Sequence, residues 1–373
     1  MTSSPPDVVI VGGGIVGIAT AYYLAHAGIR STVIERDAIA SHASGFAYGG
    51  LSGGIPNGPQ PNHPAIVEGM RLHRELAQSL AEETDVDIQF QDRPALRLAL
   101  SESEAEDLRQ HLDWQQAQPG YRVQWLDAAA ARSLEPRISP DTVGALYVEG
   151  SADVEPYRLT LALAQAAGKR GAAVRTGTVV GLHQDAGRIT GVALGSGEAV
   201  PCDQVVLAMG PWSAEASGWV GMNVPVRPLK GQILRLRATG EPYRLSVGHG
   251  KNYAMTKPSD GLVWTGTTEE EAGFDESNTT EARDRIVASA LTMLPALADA
   301  ELVLQTACLR PVTPDNALLL GKLPALDGAY IATGAGRQGI MMGPAMAKAI
   351  ADLIASGTTS LPLEAYDPGR FAA

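Results

Sequence analysis

An α/β chain is predicted here, with a parallel sheet in one domain and a mostly antiparallel sheet in a second, α+β domain. Three features of the sequence say so. Val8 to Arg36 reads strand, glycine-rich turn, helix, strand, acid. Gln204 to Gly210 is another short β-branched run ending in glycine, as a buried parallel strand does when a sheet resumes after a helix. From Val226 on, the texture changes to longer strands separated by polar turns.

The first stretch is the most specific. Val8-Val9-Ile10-Val11 suits a strand buried on both faces. Gly12-Gly13-Gly14-Ile15-Val16-Gly17 follows and fits G-x-G-x-x-G. Gly12 allows the tight turn, Gly14 lets the backbone approach a pyrophosphate, and Gly17 lets the helix pack close to the sheet. Ile15 to Ala27 is an alanine-rich helix with Gly28 as its stop. Ser31 to Glu35 is the second strand, and its terminal carboxylate is placed to accept hydrogen bonds from a ribose. A bare G-x-G-x-x-G is weak, but strand, helix, strand and acid in this order point to a Rossmann-like, dinucleotide-binding unit.

The chain continues with Asp37 to Pro64, rich in Gly, Ser, Pro and Asn, read as a ligand-binding loop because it directly follows the cofactor motif. Ile66 to Glu83 is an amphipathic helix with Leu72, Leu76 and Leu80 in register. Ile88 to Leu100 gives two short strands around Asp92-Arg93-Pro94, and Ser101-x-x-Glu104 is a capping box opening a helix to about Gln118. A short helix over 128–134, a strand over 145–149 and a helix over 155–171 follow, with Pro156 in the first turn. Val174 to Leu182, Arg188 to Leu194 and then 204–210 read as strands. In the second domain the strands fall at 226–237, 252–257, 261–267 and 300–310, with a helix over 279–293. Ala329 to Thr333 is a last buried strand, followed by Gly334-Ala335-Gly336-Arg337-Gln338-Gly339 and a helix to about Ala355. This second glycine-rich match has no following strand with an acid. It reads as a loop closing on the far end of the cofactor bound by the first motif, with a helix N-terminus aimed there.

The 373 residues favour two domains, and an apolar fraction of 45% suits a globular protein. A net charge of −12 opposes general affinity for nucleic acid. Cys202 and Cys308 stand far apart with no CxxC, so neither a disulfide framework nor a metal site is expected. The N-terminal MTSSPPD lacks the features of a signal peptide, and no apolar run reaches membrane-spanning length, so a cytoplasmic location is expected.

The chain also resembles the D-amino-acid oxidase superfamily, most closely its glycine oxidases and its D-amino-acid dehydrogenases. The resemblance rests on the first motif with Glu35-Arg36, the Ser44–Leu51 loop, VVLAMGPWS at Val205–Ser213, PLKGQ at Pro228–Gln232, DGLVWTGTT at Asp260–Thr268, LRPVTPD at Leu309–Asp315 and GAGRQGIMMGPAMAKAIADLI at Gly334–Ile354. It implies an FAD-binding domain of glutathione-reductase type, interleaved with the substrate domain. The expected segments are 1–87, 145–224 and 304–373 for the FAD domain, and 88–144 and 225–303 for the substrate domain. Gly12, Gly14, Gly17, Glu35 and Arg36 would hold the ADP half. Ser44, Gly49, Gly50 and Leu51 would line the flavin. Val180 would meet the adenine by its backbone, with Gly210 and Trp212 nearby. Gly336, Arg337, Gln338, Gly339 and Ile340 would cover the pyrimidine edge, where a helix dipole stabilises negative charge on the reduced ring.

By the same resemblance, Arg310 pairs with a substrate carboxylate, a task to which a guanidinium fork is suited. Relatives place a tyrosine over that carboxylate. Tyr253 is the candidate, but its spacing to Pro258 and Gly261 differs by one residue, which leaves it open between site and core. Trp264 stands where sarcosine oxidases carry an oxygen-activating lysine, and Cys308 where they carry the cysteine linked to flavin. With Cys308 on an apolar strand, non-covalent FAD is expected.

The implied activity is FAD-dependent oxidation of a small amino acid: glycine, an N-substituted glycine or a D-amino acid. Hydride would pass from the α-carbon to flavin N5, leaving an imine, with the carboxylate held by Arg310. The alternatives are a D-amino-acid dehydrogenase using an acceptor other than oxygen, and a flavoprotein domain acting in tRNA modification, which the net charge opposes. An NAD-dependent dehydrogenase is allowed by the first motif alone. The expected partner is a small amino acid or amine, with no nucleic acid and no integral membrane segment; a homo-oligomer is compatible with the sequence.

Overall fold

The computed structural model describes residues 7–51 and 60–372. Residues 52–59, the centre of the predicted 37–64 loop, and the first six residues of the N-terminal segment lie outside that description. A six-stranded sheet runs in the order Leu319–Lys322, Ala329–Thr333, Gln204–Leu207, Val8–Val11, Ser31–Glu35, Ala173–Thr176. All neighbours are parallel except Leu319–Lys322. Val8 to Ile10 are fully buried, as a β-branched run between two covered faces must be. One face packs on the helices Ile15–His26, His63–Glu83, Pro156–Lys169 and Gly339–Ser356. The other packs on a small antiparallel sheet of Val179–Asp185, Arg188–Leu194 and Ala199–Pro201.

An eight-stranded sheet forms the second layer system. Its order is Glu301–Val312, Arg227–Arg237, Val263–Gly266, Asn252–Thr256, Ser246–His249, Ala95–Ala99, Gly144–Glu149, Arg122–Asp127. Every adjacent pair is antiparallel except Ser246–His249 with Ala95–Ala99. One face carries a core with the Thr280–Met293 helix, through Leu96, Leu98, Leu234, Ala254 and Ile286. The other face packs on the helices Glu102–Arg109 and Leu112–Gln116 at its Ala95–Ala99, Gly144–Glu149, Arg122–Asp127 end, through Ala99, Leu108, Leu146 and Val148, and is turned to the site elsewhere. The expected boundaries 144/145 and 303/304 fall inside the strands Gly144–Glu149 and Glu301–Val312.

Several local expectations need correction. The apolar run 174–182 forms two strands that belong to different sheets, because the chain turns at Gly177, whose N–H bonds Glu35 O. The helix from Ser101 stops at Arg109 and restarts at Leu112. Ser101 Oγ does cap Glu104 N–H, but Glu104 returns its carboxylate to Leu100 N–H, one residue early. The strands 122–127, 199–201, 246–249 and 319–322 lack a strong apolar alternation in sequence and are made by pairing with neighbours.

Candidate active site

One long cavity of about 710 Å³ runs between the two sheets, from the Gly12–Gly14 turn to Arg310. Its first half is built by the parallel sheet. Gly12 has φ +111°, and a Cβ there would sit 2.3 Å from Ala208 O, so only glycine fits the turn. Gly17 lies outside the lining and presses on Gly12 O, which fixes the helix against the strand. The N-terminus of the Ile15–His26 helix has no side-chain cap on its Gly14 N-cap, while Ser44 Oγ accepts from Ile15 N–H at 3.0 Å. Glu35 accepts from Gly13 N–H at 2.6 Å and from Asp37 N–H at 2.9 Å, so its carboxylate is held at the strand tip. Beside it the Arg36 guanidinium lies 4.0 Å over the Trp212 ring, and the His42 ring meets the same indole at 4.7 Å.

Most of the predicted cofactor residues are brought together here. Gly12, Gly14, Glu35, Arg36, Ser44, Gly49, Gly50, Gly210, Trp212 and Gly336 to Ile340 all line the cavity. Two do not. The Val180 side chain points out and is 51% exposed, whereas Val179, 7% exposed, lines the wall; successive strand residues face opposite ways, and a contact made by the Val180 backbone does not depend on that side chain. Leu51 is fully buried in the helix-packed core rather than in the cavity wall.

A second helix N-terminus closes the middle of the cavity. The Gly336–Gln338 turn leads into the Gly339–Ser356 helix, whose N-cap, Gln338, makes no side-chain cap bond. Its amides therefore remain available to a ligand. Behind the loop, buried His73 bonds Ile340 O through Nε2 at 2.8 Å. Burial lowers the pKa of His73 to about 4. The neutral imidazole thus favours the folded state above an unfolded pKa near 6.5, and that stability is lost as pH falls from about 6.5 to about 4. The shift is worth about 3 kcal/mol. Urea unfolding should show this acid-side slope, and His73→Gln should flatten it; an identical slope in the variant would sink the assignment.

The second half of the cavity is the open face of the eight-stranded sheet. Tyr253 pairs with Gly266 and lines the cavity, so it faces the site and is not core packing. Its ring stacks on Tyr48 with centroids 3.7 Å apart, and Tyr48 Oη meets Ser246 Oγ at 2.9 Å. Burial raises the Tyr253 hydroxyl pKa, though Arg310 and Arg337 oppose, so the hydroxyl stays protonated and can donate. Arg310 Nη2 donates to Thr267 Oγ1 at 2.7 Å and Nη1 to Thr268 O at 3.0 Å. A Cβ at Gly231 would meet the Arg310 guanidinium at 2.0 Å, so a glycine opposite is what lets the fork lie along the sheet. Arg337 donates to Lys251 O at 2.7 Å, and both Arg337 and Lys251 pair with Glu269. Burial raises the Glu269 pKa, but Lys251 and the two arginines outweigh it and hold the carboxylate below its ordinary range.

Beneath the Gly50–Leu51 strand lies a buried ion cluster. Asp153, paired in register with Gly50, bonds Arg93 Nε at 2.7 Å and Lys257 Nζ at 3.0 Å. The sequence did not single out Asp153, Lys257, Tyr48, Lys251, Glu269 or Arg97. Arg97 alone carried a readable signal: it alternates with Leu96 and Leu98, and so faces away from their core.

The family model described as FAD dependent oxidoreductase matches residues 7–353. The chain belongs to this DAO family of FAD-dependent oxidoreductases. Glycine oxidase of Geobacillus kaustophilus is 31% identical over 98% of this chain and 97% of its own length. The crystal structure of glycine oxidase from the same organism superposes with a TM-score of 0.93 at 29% identity, covering 99% of each chain. An iminodiacetate oxidase from Chelativorans sp. BNC1 superposes with a TM-score of 0.90 at 26% identity, over 97% of this chain and 98% of that one. The protein is therefore a flavoenzyme, and FAD is its cofactor.

The residues present fit that group. Two helix N-termini without side-chain caps face one cavity, and a strand-tip carboxylate stands beside the first. Trp264, at the position of the sarcosine-oxidase lysine, is buried, and its Nε1 donates to Asp260 at 2.9 Å. Cys308 does line the cavity, but burial raises its thiol pKa, with Arg310 opposing. A protonated thiol is a poor nucleophile. Acid precipitation of the yellow protein should therefore leave a colourless pellet. Yellow retained in the pellet, and absent from Cys308→Ala, would overturn this. Among the described residues no helix is long and apolar enough to cross a membrane.

Proposed function

We propose that this flavoenzyme oxidises a small amino acid at its α-carbon to the imine, the substrate being glycine, an N-substituted glycine or a D-amino acid. One observation carries the reading: Arg310 and Tyr253 line the same cavity as the dinucleotide turn, and Arg310 is near enough for its charge to act on the Tyr253 hydroxyl. The full-length likeness to glycine oxidases supports it.

FAD, when bound, would supply the two-electron acceptor for a hydride leaving the substrate α-carbon. Gly12, Gly14, Glu35, Arg36 and Ser44 would hold its ADP half, and Gly49, Gly50 and Gly336 to Ile340 its ring. Arg310 binds the substrate carboxylate and fixes its plane. Tyr253 donates a further hydrogen bond, and its stack with Tyr48 forms an apolar wall that keeps water from the α-carbon. The neutral amine's lone pair assists C–H cleavage, so no general base is needed, and Glu269 is already committed to Lys251 and Arg337. Positioning is then the main contribution of the protein.

An amino-acid panel scored by peroxide release and by an artificial electron acceptor tests this and separates oxidase from dehydrogenase. Flavin bleaching by none of the panel under anaerobic conditions would end the reading.

A further inference from the structure

Arg97 is a cation of this cavity that no described residue engages. It lines the site, is half-buried, and has no hydrogen-bond or ion partner among the described residues. The undescribed stretch 52–59 contains no acidic side chain. The other cations here are engaged: Arg310 with Thr267 and Thr268, Arg337 and Lys251 with Glu269. Glu269 is the acid on this side; Glu35 and Glu215 line the dinucleotide end, beside Arg36 and Trp212. A partly desolvated guanidinium without a counter-charge is costly, and the cost is recovered when an anion binds.

Sheet register places Arg97 with respect to the substrate. Arg97 pairs with Gly248, Gly248 with Tyr253, and Tyr253 with Gly266. Residues in one cross-strand row share a face, so Arg97 and Tyr253 project into the same cavity with only a glycine between them. Two strand spacings separate their backbones, about 10 Å, a gap that two long side chains and a small ligand fill. Arg337 lies between Arg97 and Arg310 in electrostatic terms: after burial, the charge of Arg337 is what lowers the Arg97 pKa, and the charge of Arg310 is what lowers that of Arg337.

We propose that the substrate carries a second carboxylate, on its side chain or on its amine substituent, and that Arg97 pairs with it. This rests on the amino-acid reading above and narrows it. Arg310 takes the α-carboxylate, and Arg97 the distal one. Arg97 is a specificity residue, remote from the bonds that change.

The test compares the FAD-loaded enzyme on glycine, sarcosine and D-alanine with the same enzyme on iminodiacetate, D-aspartate and D-glutamate. Iminodiacetate reports a carboxylate on the amine, and the two D-acids one on the side chain. At least one two-carboxylate compound should exceed the neutral set in kcat/KM, roughly ten- to hundredfold, chiefly through KM. Arg97→Gln should abolish that preference, and Arg97→Lys should restore part of it. Calorimetric titration with glutarate and butyrate provides a readout independent of turnover: the wild type should bind glutarate more tightly, and Arg97→Gln should bind the two alike. Equal or better use of the neutral set, or an Arg97→Gln variant with the wild-type preference, overturns the proposal while leaving the amino-acid reading in place. Should no amino acid be turned over, that reading fails, and the glutarate-to-butyrate ratio in wild type and variant still decides whether Arg97 is an anion site.

Discussion

Arg310→Ala should retain FAD and lose most of its activity. The side chain stands on the eight-stranded sheet, whereas the dinucleotide turn and its helix belong to the parallel sheet, so the flavin-to-protein absorbance ratio should stay at the wild-type value. The loss falls on substrate. Truncating one partner of a buried, hydrogen-bonded charge pair costs about 2–5 kcal/mol, and lost alignment adds to it, so kcat/KM should drop by a factor on the order of 10² to 10³. Arg310→Lys should recover little, because one ammonium cannot both bond Thr267 and Thr268 and present two parallel donors to a carboxylate. Turnover by Arg310→Ala near the wild-type rate would place the carboxylate site elsewhere.

The second large effect is on stability. Asp153 is fully buried, and both its partners, Arg93 and Lys257, are buried as well. Arg93 also bonds Tyr243 O and Arg244 O, and Lys257 bonds Val154 O at 2.8 Å, so neither cation can move to solvent without breaking backbone contacts. Burial lowers the Lys257 pKa, with Asp153 opposing. Asp153→Leu removes the only carboxylate bonded to either cation among the described residues. Breaking such a group from one side costs about 3–5 kcal/mol, a fall in thermal midpoint on the order of 10 °C. Because Asp153 pairs with Gly50, the variant should also bind FAD more weakly. Replacing all three with apolar residues of similar volume should recover much of the loss. A thermal midpoint within about 2 °C of wild type for Asp153→Leu would show that water or a local shift satisfies the two cations.

Much of the cofactor cradle was readable from sequence because its determinants are local. The turn at Gly12, the strand Val8–Val11, the helix behind it and the terminal Glu35 lie within thirty residues, and their geometry follows from backbone conformation and hydrophobic period. The Gly339–Ser356 helix and its preceding turn were legible for the same reason. Arg310 stood out by its motif, and the register of its strand with Arg227–Arg237 places it in the cavity.

Where local signals ended, long-range pairing decided. Val179 rather than Val180 meets the cavity because the run 174–182 breaks at Gly177, and the break resets which residues face inward. Leu51 reads like the loop before it, but the short strand that it forms with Ala152 turns it into the core. Tyr253 was ambiguous by one residue, the smallest shift that exchanges the faces of a strand, and in the folded sheet it lines the cavity. Tyr48 and Tyr253 are more than two hundred positions apart, and no periodicity within either segment could bring their rings together. By itself the sequence determined the nucleotide fold and the chemistry of its glycines and its arginine fork. The side chains that line the cavity were decided by the tertiary structure, because a cavity wall is a cross-strand row, and its members share a face without sharing a neighbourhood in the chain.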